Sequence, residues 1–582
     1  MILTKLLGSV LGRPVRAARA RRALPLLERG ETALQRGEVE AAGCAFEAAA
    51  SIEPPSAAVH HRIAAAYLGA GLHREAQTHL ERCIALDPRT PEPYCLLGNL
   101  HRLSGELACA EQRYREALEL DADVILAHCN LALLLRRQAR IPDALQHFKA
   151  AHALAPLRGE MLREFVMTLL DCGEYATAGD VAQRAAEADP ARYESWFCLG
   201  LARQQQHRSA EALAGYDHAL ALTAGDADLL TQRAMTLHEL GQLPEALADY
   251  DAALALRPGD PLARFHKSLS LLLTEDYARA WPDYETRLLS EDVPYRPRRY
   301  PRWDGAPTTG RTVLVYGEQG LGDEIMFASC LPDLMRSGAR CVIECHASLR
   351  ALFADSFPDA TVYATPTDRR VPDAIDALGI DWEVPIGSLA MYYRARAADF
   401  PHHQGYLKAR PERVAAWRER LSALGPGPKI GLSWRGGTHR SREPLRSIEL
   451  PRWQPIFDVP GPHFVSLQYT PDAPQALHAL AREHGVQVAH WPEALADYAE
   501  TAALVTALDF TITVCTSIVH LAGALGRPVW VMAPYTPEWR YGRSGEALRW
   551  YPSARMFRQH DNREWQAVIA AVAARLAQGG EE

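Results

Sequence analysis

The stretch Val313–Pro332, VLVYGEQGLGDEIMFASCLP, decides how the second half of the chain is read. Val313-Leu314-Val315-Tyr316 is a short apolar run of the kind that forms a buried strand. It breaks at Gly317, Gly320 and Gly322, and a helical pattern follows through Ile325, Met326 and Ala328 up to Pro332. Strand, glycine turn and helix in that order build ligand sites in open α/β sheets: glycines let backbone approach a ligand, and the helix start offers unpaired N–H groups. The spacing of the three glycines is not the dinucleotide fingerprint, which excludes an NAD reading. Asp323 sits at the lip of the turn, where a carboxylate reaches a bound hydroxyl as general base or simply caps the helix. Spacing alone leaves both roles open.

Working outward, strand-like runs alternate with helical stretches. The runs are Val313–Tyr316, Cys341–Cys345, Lys429–Trp434, Phe464–Gln468, Phe510–Val514 and Val529–Met532. This alternation is doubly wound α/β architecture, present twice and joined near Gly425-Pro426-Gly427-Pro428. The run from Lys429 ends in Arg435-Gly436-Gly437 and a basic loop with His439, Arg440, Arg442 and Arg446. A guanidinium pairs two oxygens at once, so Arg435 and above all Arg446, read as preceding a helix at Ser447-Ile448, suit a diphosphate; a solvated charged loop has the same composition. The run Phe510–Val514 ends in Cys515-Thr516-Ser517 and a helix carrying His520. Thr516 and Ser517 suit a phosphate cradle as well as ordinary N-caps, and His520 faces either cleft or core. Gln468, Glu500 and Thr501 are further candidates for holding a nucleotide, and Tyr535, Trp539 and Arg540 for lining the cleft.

Upstream, from about Glu28 to Glu285, the chain repeats every 34 residues. Alanine recurs at Ala42, Ala76, Ala110, Ala144, Ala178, Ala212, Ala246 and Ala280. Glycine holds a second column at Gly37, Gly71, Gly105, Gly173 and Gly241, and proline a third at Pro54, Pro88, Pro156, Pro190 and Pro258. Period and residue types are those of tetratricopeptide repeats, which stack into a superhelix with a long face for a peptide or protein. A spacer or dimerisation arm fits the same repeat.

The resulting division is an N-terminal segment (1–27), the repeats (28–290), a proline-rich linker (291–310) marked by Trp303, and two Rossmann-like domains (311–425 and 426–582). A net charge of −8 argues against a nucleic-acid partner. The eleven cysteines lack a C-x-x-C pair, which points to a reducing cytoplasm, and no run reaches the length of a membrane span. Cys341 and Cys345 alternate with Ile343 along a strand, so core packing is preferred to a metal site with His346. No metal or cofactor is expected.

The segment GEQGLGDEIMFASCLPDL together with TSIVHLAGALGRPVWV resembles the heptosyltransferase type of glycosyltransferase, family 9, especially bacterial proteins that join a tetratricopeptide array to such a domain. The layout is similar to that of O-linked N-acetylglucosamine transferase. The resemblance implies a repeat superhelix followed by a GT-B unit: an inverting, metal-independent transferase taking a sugar from a nucleotide-sugar co-substrate. It places the base on Asp323 and the donor phosphates against Thr516, Ser517 and His520. The family usually has an aspartate just before that threonine, where this chain has Cys515. By the same analogy the acceptor is a protein held by the repeats, such as flagellin or another surface subunit. A lipopolysaccharide acceptor, or an adaptor with a degenerate transferase half, are the alternatives. Homo-oligomerisation is left open.

Overall fold

The computed structural model describes residues 14–52, 55–223, 225–289, 299–368, 370–437 and 443–579. Two compact units divide the chain, Met1–Ala224 and Gly225–Glu582.

The first unit is all helical. Among the described residues it has twelve helices, from Pro14–Gln35 to Ser209–Ala221, packed as successive hairpins. The first helix begins inside the segment set apart at the N-terminus. The alanine column explains the pairing: all eight alanines, including the two in the second unit, are fully buried, because only a methyl fits where the paired helices touch. The glycine column explains the turn. Each of its members has φ between 73° and 83°, the left-handed region open to glycine. At the same register the repeats without glycine place Ala139, His207 and Glu275, with φ of 59°, 59° and 64°. The hairpin geometry therefore overrides residue preference, at a cost of about 1–2 kcal/mol each. Pro54 lies outside the described residues.

The second unit opens with four more repeat helices, Ala227–Leu240, Leu243–Leu256, Pro261–Leu273 and Tyr277–Tyr284, and a 3-10 turn, Glu285–Leu289. A four-stranded sheet follows, built from β1 (Thr312–Tyr316), β2 (Arg340–Cys345), β3 (Thr361–Ala364) and β4 (Trp382–Pro385). Its order is β3-β2-β1-β4 and all pairs are parallel. The second sheet has seven strands: β5 (Lys429–Ser433), β6 (His463–Ser466), β7 (Val488–His490), β8 (Phe510–Val514), β9 (Val529–Ala533), β10 (Ala547–Leu548) and β11 (Tyr551–Arg558). Its order is β10-β11-β9-β8-β5-β6-β7, parallel except for β10 against β11. In each sheet the strand order reverses beside the first strand, between β1 and β4 and between β5 and β8. Open parallel sheets take their ligands at such reversals, outside the carboxyl ends.

One apolar core serves the last repeats and both sheets. Leu271, Tyr277, Trp281 and Tyr284 share it with Val313 and Ile343 of the first sheet and Val531 of the second. Trp303, read as linker, is buried in that same core and donates its main-chain N–H to Glu383 O at 3.0 Å. Residues 291–298 of the expected linker lie outside the described residues. Cys341 and Cys345 point into the core with Ile343, as their alternation suggests.

Candidate functional site

The glycine turn after β1 leads into a helix, Leu321–Phe327, which passes through a 3-10 turn into a second helix, Leu331–Arg336. Pro332 therefore opens the second helix, where a missing N–H costs nothing. Gly322 is placed against helix Ser517–Ala524. A Cβ there would lie 2.9 Å from His520 Cδ2 and 3.6 Å from Ser517 Cα. The loop after β5 leans on the start of the same helix, since a Cβ on Gly436 would lie 2.4 Å from Thr516 Cγ2. The three strand-end segments singled out in the sequence thus converge on one helix start.

Charged side chains span the convergence. Arg540 donates through Nε to Asp323 Oδ1 at 2.6 Å and through Nη1 to Glu538 Oε2 at 3.0 Å. The other oxygen of Glu538 accepts from Arg446 Nη1 at 2.6 Å, and Arg446 Nε donates to Gly436 O at 2.9 Å. Asp323 to Arg540 to Glu538 to Arg446 is therefore a continuous row in which anion and cation alternate. The Asp323 and Arg540 side chains are 16% and 14% exposed, open to solvent only at an edge. Burial pushes the Asp323 carboxyl up, against the pull of Arg540.

Each remaining sequence candidate has a definite place. Thr516 caps its helix, its Oγ1 accepting from Ile518 N at 3.2 Å. Ser517 Oγ accepts from Tyr498 OH at 3.0 Å. His520 is buried between two phenols, with Nδ1 3.1 Å from Tyr551 OH and Nε2 3.3 Å from Tyr541 OH. Burial, reinforced by Arg540 and Arg446, lowers its pKa to about 3, so it is neutral and faces the core. Gln468 is fully buried and shapes the loop after β5: its Oε1 accepts from Trp434 N and Arg435 N, both at 3.0 Å, and Nε2 donates to Arg435 O at 2.8 Å. It positions that loop and has no carboxamide hydrogen bond to spare for the nucleotide contact expected of it. Arg435 turns away to Asp472, at 2.8 Å, and to Glu443. The expected helix after Arg446 is corrected: the helical turn is Glu443–Arg446, and Ile448 instead donates its N–H to Trp434 O at 2.9 Å. His439, Arg440 and Arg442 lie outside the described residues.

Glu500 and Thr501 are engaged elsewhere. Glu500 accepts from Trp417 Nε1 at 2.9 Å and Thr501 Oγ1 donates to Ala494 O at 2.6 Å. Glu500 lines a cavity of about 380 Å³ with Arg413, Trp417, Arg420 and Glu493, a set that shares no residue with the charged row. Tyr535 lies under the Arg543 guanidinium, 4.1 Å from its ring centre. Trp539 is buried among Trp281, Tyr284, Phe327 and Trp550. Cys515 is buried too, and burial pushes its thiol up to about 12.

Five residues at the site escape a reading of the sequence. Glu538 matters because it joins two arginines. Arg287, fully enclosed, donates to Glu318 Oε1 at 2.9 Å and to Ser388 Oγ at 3.0 Å, tying the glycine turn to the last repeat. Tyr284 and Gln319 exchange a hydrogen bond at 3.1 Å beside it. Glu324 folds over Gly317 and accepts from His346 N at 2.9 Å, and burial lifts its carboxyl to about 8. Gln319, Glu324 and Glu538 follow strand ends, whereas Arg287 and Tyr284 belong to the last repeat and its closing turn and carry no such signal. Among the described residues one cluster has metal-ligand chemistry, His101, Glu106 and Cys109 at a turn between repeat helices.

The tetratricopeptide repeat family matches residues 57–90 and 227–260. The repeats are tetratricopeptide repeats. Over 510 residues the chain is 29% identical to Protein FlbA of Caulobacter vibrioides, covering 84% of this chain and 85% of that protein. Cellulose synthase operon protein C of Xanthomonas axonopodis pv. citri is 30% identical over 177 residues, 29% of this chain and 12% of that protein. Among solved structures, YrrB, described as a TPR protein with an unusual peptide-binding site, is 23% identical, with a TM-score of 0.29 over 33% of this chain and 98% of its own. PilW, a type IV pilus biogenesis factor, is 16% identical, with a TM-score of 0.32 over 36% and 97%. No helix among the described residues is long and apolar enough to cross a membrane.

Proposed function

We propose that the chain is an inverting glycosyltransferase of GT-B type that moves a sugar from a nucleotide-sugar donor to a protein acceptor held by the repeats. One observation carries the reading. Both strand-order reversals deliver their loops to one helix start, with an acid from the first sheet facing arginines from the second. The resemblance to family 9 transferases through GEQGLGDE and TSIVH supports it from the sequence.

In this reading the acceptor hydroxyl lies at Asp323. Its proton passes to the carboxylate as its oxygen bonds the anomeric carbon from the face opposite the diphosphate. The bond from that carbon to the phosphate oxygen breaks, and the electron pair leaves with the nucleoside diphosphate. Arg446 and the N–H groups at Thr516 and Ser517 stabilise that charge, as preorganised donors do without rearranging during the reaction. Gln468 holds the loop, and His520 supports the helix from below. The cytoplasm is the compartment this donor chemistry suits.

The test is a thermal-shift panel with UDP, GDP, ADP, CMP and their sugars, followed by transfer assays on Asp323→Asn. A ligand at a hundredfold excess over its Kd adds about 2.7 kcal/mol to the folded state. Transfer undiminished in Asp323→Asn removes that residue as base. Deleting residues before Gly225 separates a protein acceptor from a free carbohydrate, which would still be modified. A second reading, a non-catalytic repeat adaptor, is favoured by Cys515 standing where the family carries an acid; silence across the whole panel would select it.

A further inference from the structure

The row Asp323, Arg540, Glu538, Arg446 has a charge balance that a bound donor must disturb. Two carboxylates and two guanidiniums cancel, and each carboxylate is already engaged. Glu538 gives one oxygen to each arginine, so it holds the two guanidiniums side by side, both within one carboxylate's reach. That is the arrangement a diphosphate requires, because it too presents oxygens to two guanidiniums at once. Arg540 cannot serve an anionic ligand while both faces of its fork are spent on Asp323 and Glu538. Conversely, Asp323 cannot take a proton well while a guanidinium sits on its oxygen, because an opposite charge at hydrogen-bond distance stabilises the carboxylate.

Resting on the transferase reading above, we propose that Arg540 alternates between two partners: Asp323 when the donor site is empty, and the donor's diphosphate when it is filled. Donor binding then strips the guanidinium from Asp323 and leaves a stronger base beside the acceptor only when a leaving group is in place. Wasteful activation of the base in the empty enzyme is avoided. Arg540 thereby touches the reacting diphosphate, and its release of Asp323 couples the two halves of the site. Its anchorage supports a swing of the head alone: the guanidinium lies over the Trp539 ring, 5.1 Å from its centre, and Trp539 is fixed in the aromatic core.

The experiment measures inorganic pyrophosphate and UDP, GDP and ADP binding to the full chain by calorimetry, for the parent and for Asp323→Asn, Arg540→Gln, Arg540→Lys, Arg446→Gln and the double variant Asp323→Asn/Arg540→Gln. Competition predicts an inverted sign. Asp323→Asn frees Arg540 and binds pyrophosphate more tightly, on the order of tenfold, whereas Arg540→Gln binds more weakly. In the double variant the gain from Asp323→Asn disappears. Arg540→Lys, which keeps the charge, retains part of the affinity and guards against a folding defect in the glutamine variant. If Arg446→Gln weakens binding while Asp323→Asn leaves it unchanged or lowers it, the alternation is overturned and the transferase reading stands. If neither pyrophosphate nor any nucleotide binds the parent protein, the transferase reading falls and takes this inference with it.

Discussion

The two glycine turns, after β1 and after β5, follow the same order of strand, glycine and short helix, yet they are held by opposite means. The first is held by its side chains. Glu318 goes to Arg287, Gln319 to Tyr284 and Glu324 to the His346 N–H, so three of its polar residues point into the protein. The second is held by its backbone, which the single carboxamide of Gln468 gathers at Trp434 and Arg435. A turn whose side chains are consumed in anchoring exposes little beyond one acid, Asp323. Around the second turn the arginines are paired as well, Arg446 with Glu538 and Gly436 O and Arg435 with Asp472. In the proposed transferase the first turn presents the base and the second its arginines.

The comparison is most easily broken at Arg287. Arg287→Ala leaves Glu318 buried and unpaired, and such losses cost about 3–5 kcal/mol. Urea denaturation should show the second unit destabilised by that amount; a shift under 1 kcal/mol would mean the first turn does not depend on its side chains. Gln468→Leu tests the second turn. Two main-chain N–H groups lose their acceptor, for about 1–3 kcal/mol, and nucleotide affinity is expected to fall while the first turn stays intact. Fluorescence of Trp434 against the global melt would separate local loosening from unfolding.

The shared helix offers a matched pair. Gly436→Ala brings a methyl to 2.4 Å from Thr516 Cγ2, and Gly322→Ala to 2.9 Å from His520 Cδ2. Overpacking of this kind costs about 1–3 kcal/mol, with Gly436→Ala the worse of the two. Gly320→Ala is the control, since its methyl meets only Asp323 Oδ2 at 3.7 Å. Equal melting points for all three would remove the shared helix from the account.

A further test is in pH. Glu324 has its carboxyl raised to about 8 by burial, from 4.5 when unfolded. Its folded form binds the proton more tightly, so its contribution to stability is complete below pH 4.5 and is lost as pH rises toward 8. Glu324→Gln should therefore raise Tm relative to the parent at pH 8 and give no such gain at pH 4.5. A Tm difference independent of pH would show that the carboxyl titrates normally.

Much of this was legible in the sequence where a pattern is enforced many times or by deep burial. The alanine column marks every helix pair, and Val313–Tyr316 or Phe510–Val514 read as strands because their residues are apolar without interruption. The strands that escaped are β3, β4, β7, β10 and β11. Four of them have four residues or fewer; of these, β3 and β7 have no fully buried residue and β10 has one. β4 carries the buried Glu383, and β11 mixes arginines and Pro552 among its apolar residues. At the site, Asp323, Arg446 and Thr516 were visible because each stands at a strand end or just beyond. Arg540 was singled out beside a strand end, but its pairing with Asp323 was not, because the two are separated by 217 positions and no periodicity connects them. Glu538 and Arg287 are charges in enclosed places, which local sequence cannot distinguish from charges in water.

Because Leu271, Tyr277, Trp281 and Tyr284 fill the same core as β1, the final repeats have ceased to be interchangeable modules. Repeats upstream of Gly225 contribute no residue to that core. Those downstream are inherited with the α/β unit. A chimera joined at the last repeat would cut through a hydrophobic core, whereas one joined at residue 225 would leave that core whole.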